Sequence, residues 1–182
     1  MRLFVAIDPP GALLEEVGAA VAAARPGPRG IRWASREKWH VTLLFLGEVA
    51  EERIEPIGAG LAAEVARHPA PLLRLRGAGT FPGDPARARV LWAGVAGETA
   101  ALARLATALG DTARDLGLEV EHRRYVPHLT LARAKAPTDL SGQRAALAGI
   151  DTRPWTATEV RLVHSRLDGA PRYQTLATWP LA

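Results

Sequence analysis

One short pattern occurs twice in this 182-residue chain: His40-Val41-Thr42-Leu43 and His128-Leu129-Thr130-Leu131 stand 88 residues apart, one in each half. Residues two apart on a β-strand project from the same face of a sheet, so each copy sets an imidazole beside a hydroxyl. The constraint on the fold is strong. A chain that duplicates such a strand gains a site only by bringing the two copies together, which asks for two lobes of strands and helices facing across a cleft. Two histidines there can divide proton donation and acceptance, and two hydroxyls can hold an anion between them. Acid-base chemistry on a phosphate is the first expectation.

The hydrophobic pattern supplies elements for such an arrangement. Strands are expected at residues 2–7, 31–33 and 39–47, and helices at 11–24 and 51–68, where Ile54, Ile57, Leu61 and Val65 recur at helical spacing. Further strands are expected at 71–76 and 88–95, separated by the Gly-rich segment that ends in Pro-Gly-Asp-Pro. The second half repeats the theme with a helix at 98–116, a strand near 118–123 and the second motif strand at 127–134. A helix at 140–148 and strands at 157–167 and 172–179 follow. Each half is expected to mix strands and helices around one motif strand, with the two lobes fused through a common cleft. With no Ser, Gly or Pro linker between the halves, residues 1–182 are expected to form a single two-lobed domain.

Composition narrows the chemistry. The absence of cysteine removes disulfides, thiol nucleophiles and cysteine zinc sites. There is no phosphate-binding Gly-x-x-x-x-Gly-Lys loop and no Gly-x-Ser-x-Gly elbow. Gly58-Ala59-Gly60-Leu61-Ala62-Ala63 fits a relaxed dinucleotide fingerprint, but it lies inside a helical pattern and follows no strand. No histidine pair has zincin spacing and no carboxylate cluster stands near to complete a shell, so a bound catalytic metal is not expected. The opening Met1-Arg2-Leu3-Phe4-Val5-Ala6-Ile7 is stopped by Asp8-Pro9-Pro10, too soon for a secretory leader, and no apolar run reaches membrane-spanning length. A cytoplasmic protein without membrane partners is expected. All 23 basic residues except Lys38 and Lys135 are arginine. Arginine suits bidentate phosphate contacts, although a codon preference spread over the whole surface would give the same count.

Several segments resemble one family. Trp39-His40-Val41-Thr42-Leu43-Leu44-Phe45-Leu46-Gly47, Pro127-His128-Leu129-Thr130-Leu131-Ala132-Arg133, Ser165-Arg166-Leu167 with Pro171-Arg172-Tyr173, and Trp179-Pro180-Leu181 are similar to those of bacterial and archaeal RNA 2′,3′-cyclic phosphodiesterases. These enzymes, also called 2′-5′ RNA ligases, belong to the two-histidine phosphoesterases. The resemblance implies an α+β, bilobal, pseudo-symmetric fold with two antiparallel sheets lining a central cleft and helices outside, no cofactor, and opening of a ribose 2′,3′-cyclic phosphate to a 2′-phosphate, with associated reverse 2′-5′ ligation. It implies His40 as proton donor, His128 as proton acceptor, and Thr42, Thr130 and Arg133 as phosphate-binding residues. The implied partner is RNA with 2′,3′-cyclic phosphate or 2′-phosphate ends, and a site complete in one chain implies a monomer.

The fifth residue beyond each histidine needs separate treatment. Strict alternation puts Arg133 on the face opposite His128, so its role requires a bulge or a place at the strand's end. Phe45 is a candidate for stacking on a nucleobase or for the core, and Trp33, Trp39, Tyr125 and Tyr173 face the same choice. Arg124, Arg166 and Arg172 match the family pattern but need no function as surface residues. His68, His122 and His164 lack a threonine partner and read as structural. Two other functions compete: a phosphoesterase for another small cyclic phosphate, and a non-catalytic RNA-binding module.

Overall fold

The computed structural model describes residues 1–182. In chain order its elements are β1 (Arg2–Ile7), α1 (Gly11–Ala24), β2 (Ile31–Trp33), β3 (Val41–Glu48), α2 (Glu51–Val65), β4 (Leu72–Phe81), β5 (Ala88–Gly97), α3 (Thr99–Asp115), β6 (His128–Thr138), α4 (Ser141–Leu147), β7 (Trp155–Thr156), β8 (Glu159–Ser165) and β9 (Tyr173–Pro180). The strands run in the order β7-β4-β5-β6-β3-β1-β8-β9, with β2 also paired to β6, and every pairing is antiparallel. At the centre, β3 and β6 share one residue pair, Val41 with Leu129. The sheet is therefore two wings joined at a narrow waist, and the waist is where the two motifs lie. This is the α+β, two-lobed arrangement expected from the sequence.

The repeat is visible in the chain order. β1-α1-β3-α2-β4 is followed by β5-α3-β6-α4-β8, and each element of the second set begins 86 to 90 residues after its counterpart. The third strand of each set crosses to the other wing: β4 pairs with β5, and β8 pairs with β1. Each wing therefore draws strands from both repeats. α1 packs against α4 and α2 against α3 on the outer side. Between helices and sheet lies one cluster of 39 buried apolar residues, including Leu13, Val41, Leu61, Leu91, Leu109 and Leu129. Val41 and Leu129 both point into it, so the waist residues on either side of them face the concave surface.

Three expectations change. The segment near 118–123 forms no strand. Its alternation is real, but β5, β3 and β2 already occupy the positions beside β6. The segment is instead fixed by Leu118 N donating to the Ala113 carbonyl at 3.0 Å and by the burial of Leu118. Second, β4 continues to Phe81 through the glycines read as a loop. A register shift between Leu75 and Ala78 bulges the strand, with Gly77 at φ +69°, and a Cβ at Gly79 would lie 2.3 Å from the Trp92 ring. The missing side chains thus allow a strand turn and the close seating of an indole. Third, β6 runs on to Thr138. No helix is long and apolar enough to cross a membrane.

Candidate active site

The antiparallel register at Val41 and Leu129, carried one residue either way, sets His40 across from Thr130 and Thr42 across from His128. All four are half-buried on the concave face. Cross-strand neighbours of this kind have Cβ atoms about 5 Å apart, and residues two apart on one strand are about 7 Å apart. The two motifs thus make a small rectangle with an imidazole and a hydroxyl alternating around it, a fit for one tetrahedral anion. His40 itself stands one residue ahead of β3, outside the strand expected to carry it.

Each imidazole is held differently. His128 Nδ1 lies 2.7 Å from the Val126 carbonyl. A carbonyl only accepts, so Nδ1 carries the proton and Nε2 presents a lone pair, the form a proton acceptor needs. Its ring is held edge-on by Phe81 at 4.9 Å and flanked by Trp92 at 6.1 Å. The His40 ring stacks on Phe4 at 4.8 Å and meets the edge of Tyr173 at 5.5 Å. Phe4, Ala6 and Val163, with Tyr173 against them, form a separate apolar patch under His40.

Burial, then the Arg161 guanidinium, then His128, push His40 down to about 4. Arg161 is fixed by its Nη2 donating to Asp8 Oδ1 at 2.6 Å, by a second contact of Nε with Asp8, and by Nη1 donating to Thr175 Oγ1 at 2.6 Å. Burial also lowers His128; the Val126 carbonyl opposes this and Arg133 adds to it. Both rings are therefore neutral in the free site at pH 7. An anion arriving between the threonines counters the desolvation and the arginine field, and so returns a proton to one of them.

A pair of bulges settles the fifth-residue question. In β6 the register with β5 shifts between Leu91 and Trp92, so Thr130 pairs with Trp92 and Arg133 with Val90. Leu131 is the extra residue, and Arg133 returns to the face of Thr130 and Trp92. β3 does the same: Thr42 pairs with Ala6, Leu44 with Val5 and Phe45 with Phe4, leaving Leu43 as the extra residue. Phe45 thereby joins Thr42 and Phe4 on the concave face, 6.2 Å from Phe4 and 63% exposed. Phe45 and Arg133 occupy equivalent places in the two repeats.

The other candidates separate clearly. Trp39 is buried and donates through Nε1 to the Ala34 carbonyl at 3.1 Å. Trp33 donates to the Pro26 carbonyl at 3.0 Å, with Arg25 over its ring. Tyr125 donates to the Thr42 carbonyl at 2.8 Å, a tie across the waist, and burial raises its hydroxyl pKa. Only Tyr173 of these four rings touches a motif histidine. Arg166 N donates to the Arg172 carbonyl at 2.8 Å in the loop before Tyr173, and Arg124 is exposed. His68 lies 2.9 Å from Glu64 on a helical turn, and His122 is exposed. His164 sits between Leu3 and Gln174 in the sheet, one residue out of phase with Val163 of the concave patch. Sequence reasoning passed over Phe4, Phe81, Trp92 and Arg161. Their roles come from cross-strand pairing, which one strand's sequence does not carry.

The model of the 2′-5′ RNA ligase superfamily matches residues 9–169. The chain belongs to that superfamily. An RNA 2′,3′-cyclic phosphodiesterase of Methanocaldococcus jannaschii is 31% identical over 98% of this chain and 100% of its own length. One from Geobacillus stearothermophilus is 32% identical over 82% of this chain, which there spans about half of the relative, 47%. Among solved structures, TT0787 of Thermus thermophilus superposes with a TM-score of 0.80 at 31% identity, covering 100% of this chain and 98% of that one. Escherichia coli LigT complexed with 3′-AMP gives 0.78 at 28% identity, with 100% and 98% covered.

Proposed function

We propose that this protein hydrolyses RNA 2′,3′-cyclic phosphate ends to 2′-phosphates without a metal, using His40 as acid and His128 as base. The rectangle of two imidazoles and two hydroxyls carries the reading, and the names of the superfamily relatives support it. Thr42 and Thr130 donate to the non-bridging oxygens, and Arg133 adds a charged donor from beside Thr130. Water attacks phosphorus and gives a proton to His128 Nε2. The bond from phosphorus to O3′ breaks, and His40 protonates O3′, leaving a 2′-phosphate and a 3′-hydroxyl. Solvent exchange then returns the proton from His128 to His40.

The base assignment is supported by the Val126 carbonyl, which holds the free lone pair of His128 at Nε2. The acid assignment fits a ring that regains its proton only when an anion is bound. That coupling protects the site from holding an idle cation and makes protonation part of substrate binding. With an RNA 5′-hydroxyl in place of water, the same transfers yield a 2′-5′ linkage. Phe45 offers the terminal base an exposed ring.

The test is a short RNA with a 2′,3′-cyclic phosphate, incubated in EDTA with the protein and with His40→Ala and His128→Ala. A 2′-phosphate product that disappears in either variant is expected. A 3′-phosphate product would reverse the leaving oxygen, and no turnover by folded protein would overturn the activity.

A further inference from the structure

The basic residues of the sheet are not spread evenly. β2, β4, β5 and β6 carry Arg32, Arg74, Arg76, Arg89, Arg133 and Lys135 and no Asp or Glu, whereas β1, β3, β8 and β9 balance Arg2 and Arg161 with Glu48 and Glu159. A codon preference acting on the whole surface would not respect the waist. Within the basic wing, Arg32 pairs directly with Arg133 across β2 and β6, so both share a face. Ile31 pairs with Ala134 and Trp33 with Ala132 in unbroken register, and Ile31 and Trp33 pack on the core. Lys135 follows two residues past Arg133, in the stretch of β6 between the Arg133–Val90 and Thr138–Ala88 pairs where the register with β5 shifts. All three are exposed, and none forms an ion pair.

We infer that this stripe, Arg133 to Arg32 and Lys135, is the track for the RNA chain upstream of the cyclic phosphate. The inference rests on the cyclic phosphodiesterase reading. With Leu131 bulged out, Lys135 is about four strand steps of 3.3 Å, some 13 Å, along β6 from Thr130, farther than the one phosphate held there extends. Cations at that distance serve the phosphates behind the terminal nucleotide. Unpaired guanidinium and ammonium groups are the contacts that set affinity and register on a nucleic acid without reading its sequence. The protein then acts on oligonucleotide ends in preference to cyclic mononucleotides, and polarity follows: the chain leaves the cleft along β6, away from Phe45.

The experiment compares a five-nucleotide RNA ending in a 2′,3′-cyclic phosphate with 2′,3′-cyclic AMP, over 50 to 200 mM salt. It uses the parent protein, Arg32→Gln with Lys135→Gln, and a control, Arg104→Gln with Arg153→Gln. Single-stranded contacts contribute a salt slope of about 0.7 each, so removing two lowers the slope of log KM by about 1.4. The rise in the pentamer's KM across that salt range then shrinks about sevenfold, with cyclic AMP turnover and the control pair unchanged. An unchanged slope, or equal losses on both substrates, overturns the track while leaving the hydrolytic reading intact. If neither substrate turns over, the hydrolytic reading fails. Salt-dependent binding of a pentamer with a 3′-hydroxyl end, weakened in Arg32→Gln with Lys135→Gln, then upholds the track by itself, and unweakened binding removes it.

Discussion

β3 and β6 begin alike and end differently. Each presents a histidine and a threonine to the cleft, inserts one extra leucine, and returns its next concave residue three positions past the threonine. In β3 that residue is Phe45, with Gly47 two positions on and the strand's end just beyond; in β6 it is Arg133, with Lys135 two positions on. The shared part can hold and protonate a phosphate, which is symmetric enough to be served by a duplicated strand. On the proposed function the divergent part meets a nucleotide, which has an apolar base on one side and a charged chain on the other. On that reading duplication supplied the chemistry, and the residues past the bulges broke the symmetry to orient a substrate without any. The partners of the histidines diverge in the same sense, a carbonyl fixing His128 and an arginine field acting on His40.

The comparison is broken most directly at the histidines. Replacing either with alanine should lower kcat by about 10³ to 10⁴, near the upper range for one proton transfer, and the double replacement should cost little more because the two act as a unit. Single-turnover measurements check this, and retention of more than a few per cent of activity by His40→Ala would remove it from the acid role. Next come the divergent positions. Arg133→Ala should raise KM roughly 10- to 100-fold, the worth of a charged hydrogen bond of about 1.5–3 kcal/mol. Phe45→Ala should weaken binding of ends with a purine base by about 5- to 100-fold, from a stacking energy of about 1–3 kcal/mol. If the two variants lose affinity equally for an abasic cyclic phosphate, the division into base side and chain side is wrong.

A smaller effect is on stability. A histidine at about 4 in the folded protein and near 6.5 unfolded binds fewer protons when folded between those values. Stability therefore rises with pH from about 4 to 6.5 and is level above. At pH 5 the loss relative to pH 7.5 is about 2 kcal/mol from His40. Denaturant titrations at both pH values should show a gap that narrows by that amount in His40→Ala. An unchanged gap would mean that the ring is not desolvated as described.

The parts of the site readable in the sequence are those carried by residues two apart. His40 with Thr42 and His128 with Thr130 follow from strand geometry, and the 88-residue interval announces a repeat. The helices were likewise legible, since α1, α2 and α3 follow their apolar spacing to within a turn. The strand expected near 118–123 failed because alternation signals a half-buried surface and not a partner, and the positions beside β6 were already taken. The glycines of β4 failed in the opposite direction: they read as a loop, yet the room they leave is filled by Trp92.

The sequence by itself determined the two histidine-threonine pairs, the α+β repeat and the supply of arginine, because these depend on residue type and on periods of two or about four within one segment. Tertiary structure decided which wing each third strand joined, that Arg133 and Phe45 face the cleft, and which charges reach each histidine. Those outcomes depend on register between strands far apart in the chain. A shift of one residue there turns a side chain from core to cleft without changing a letter of the sequence.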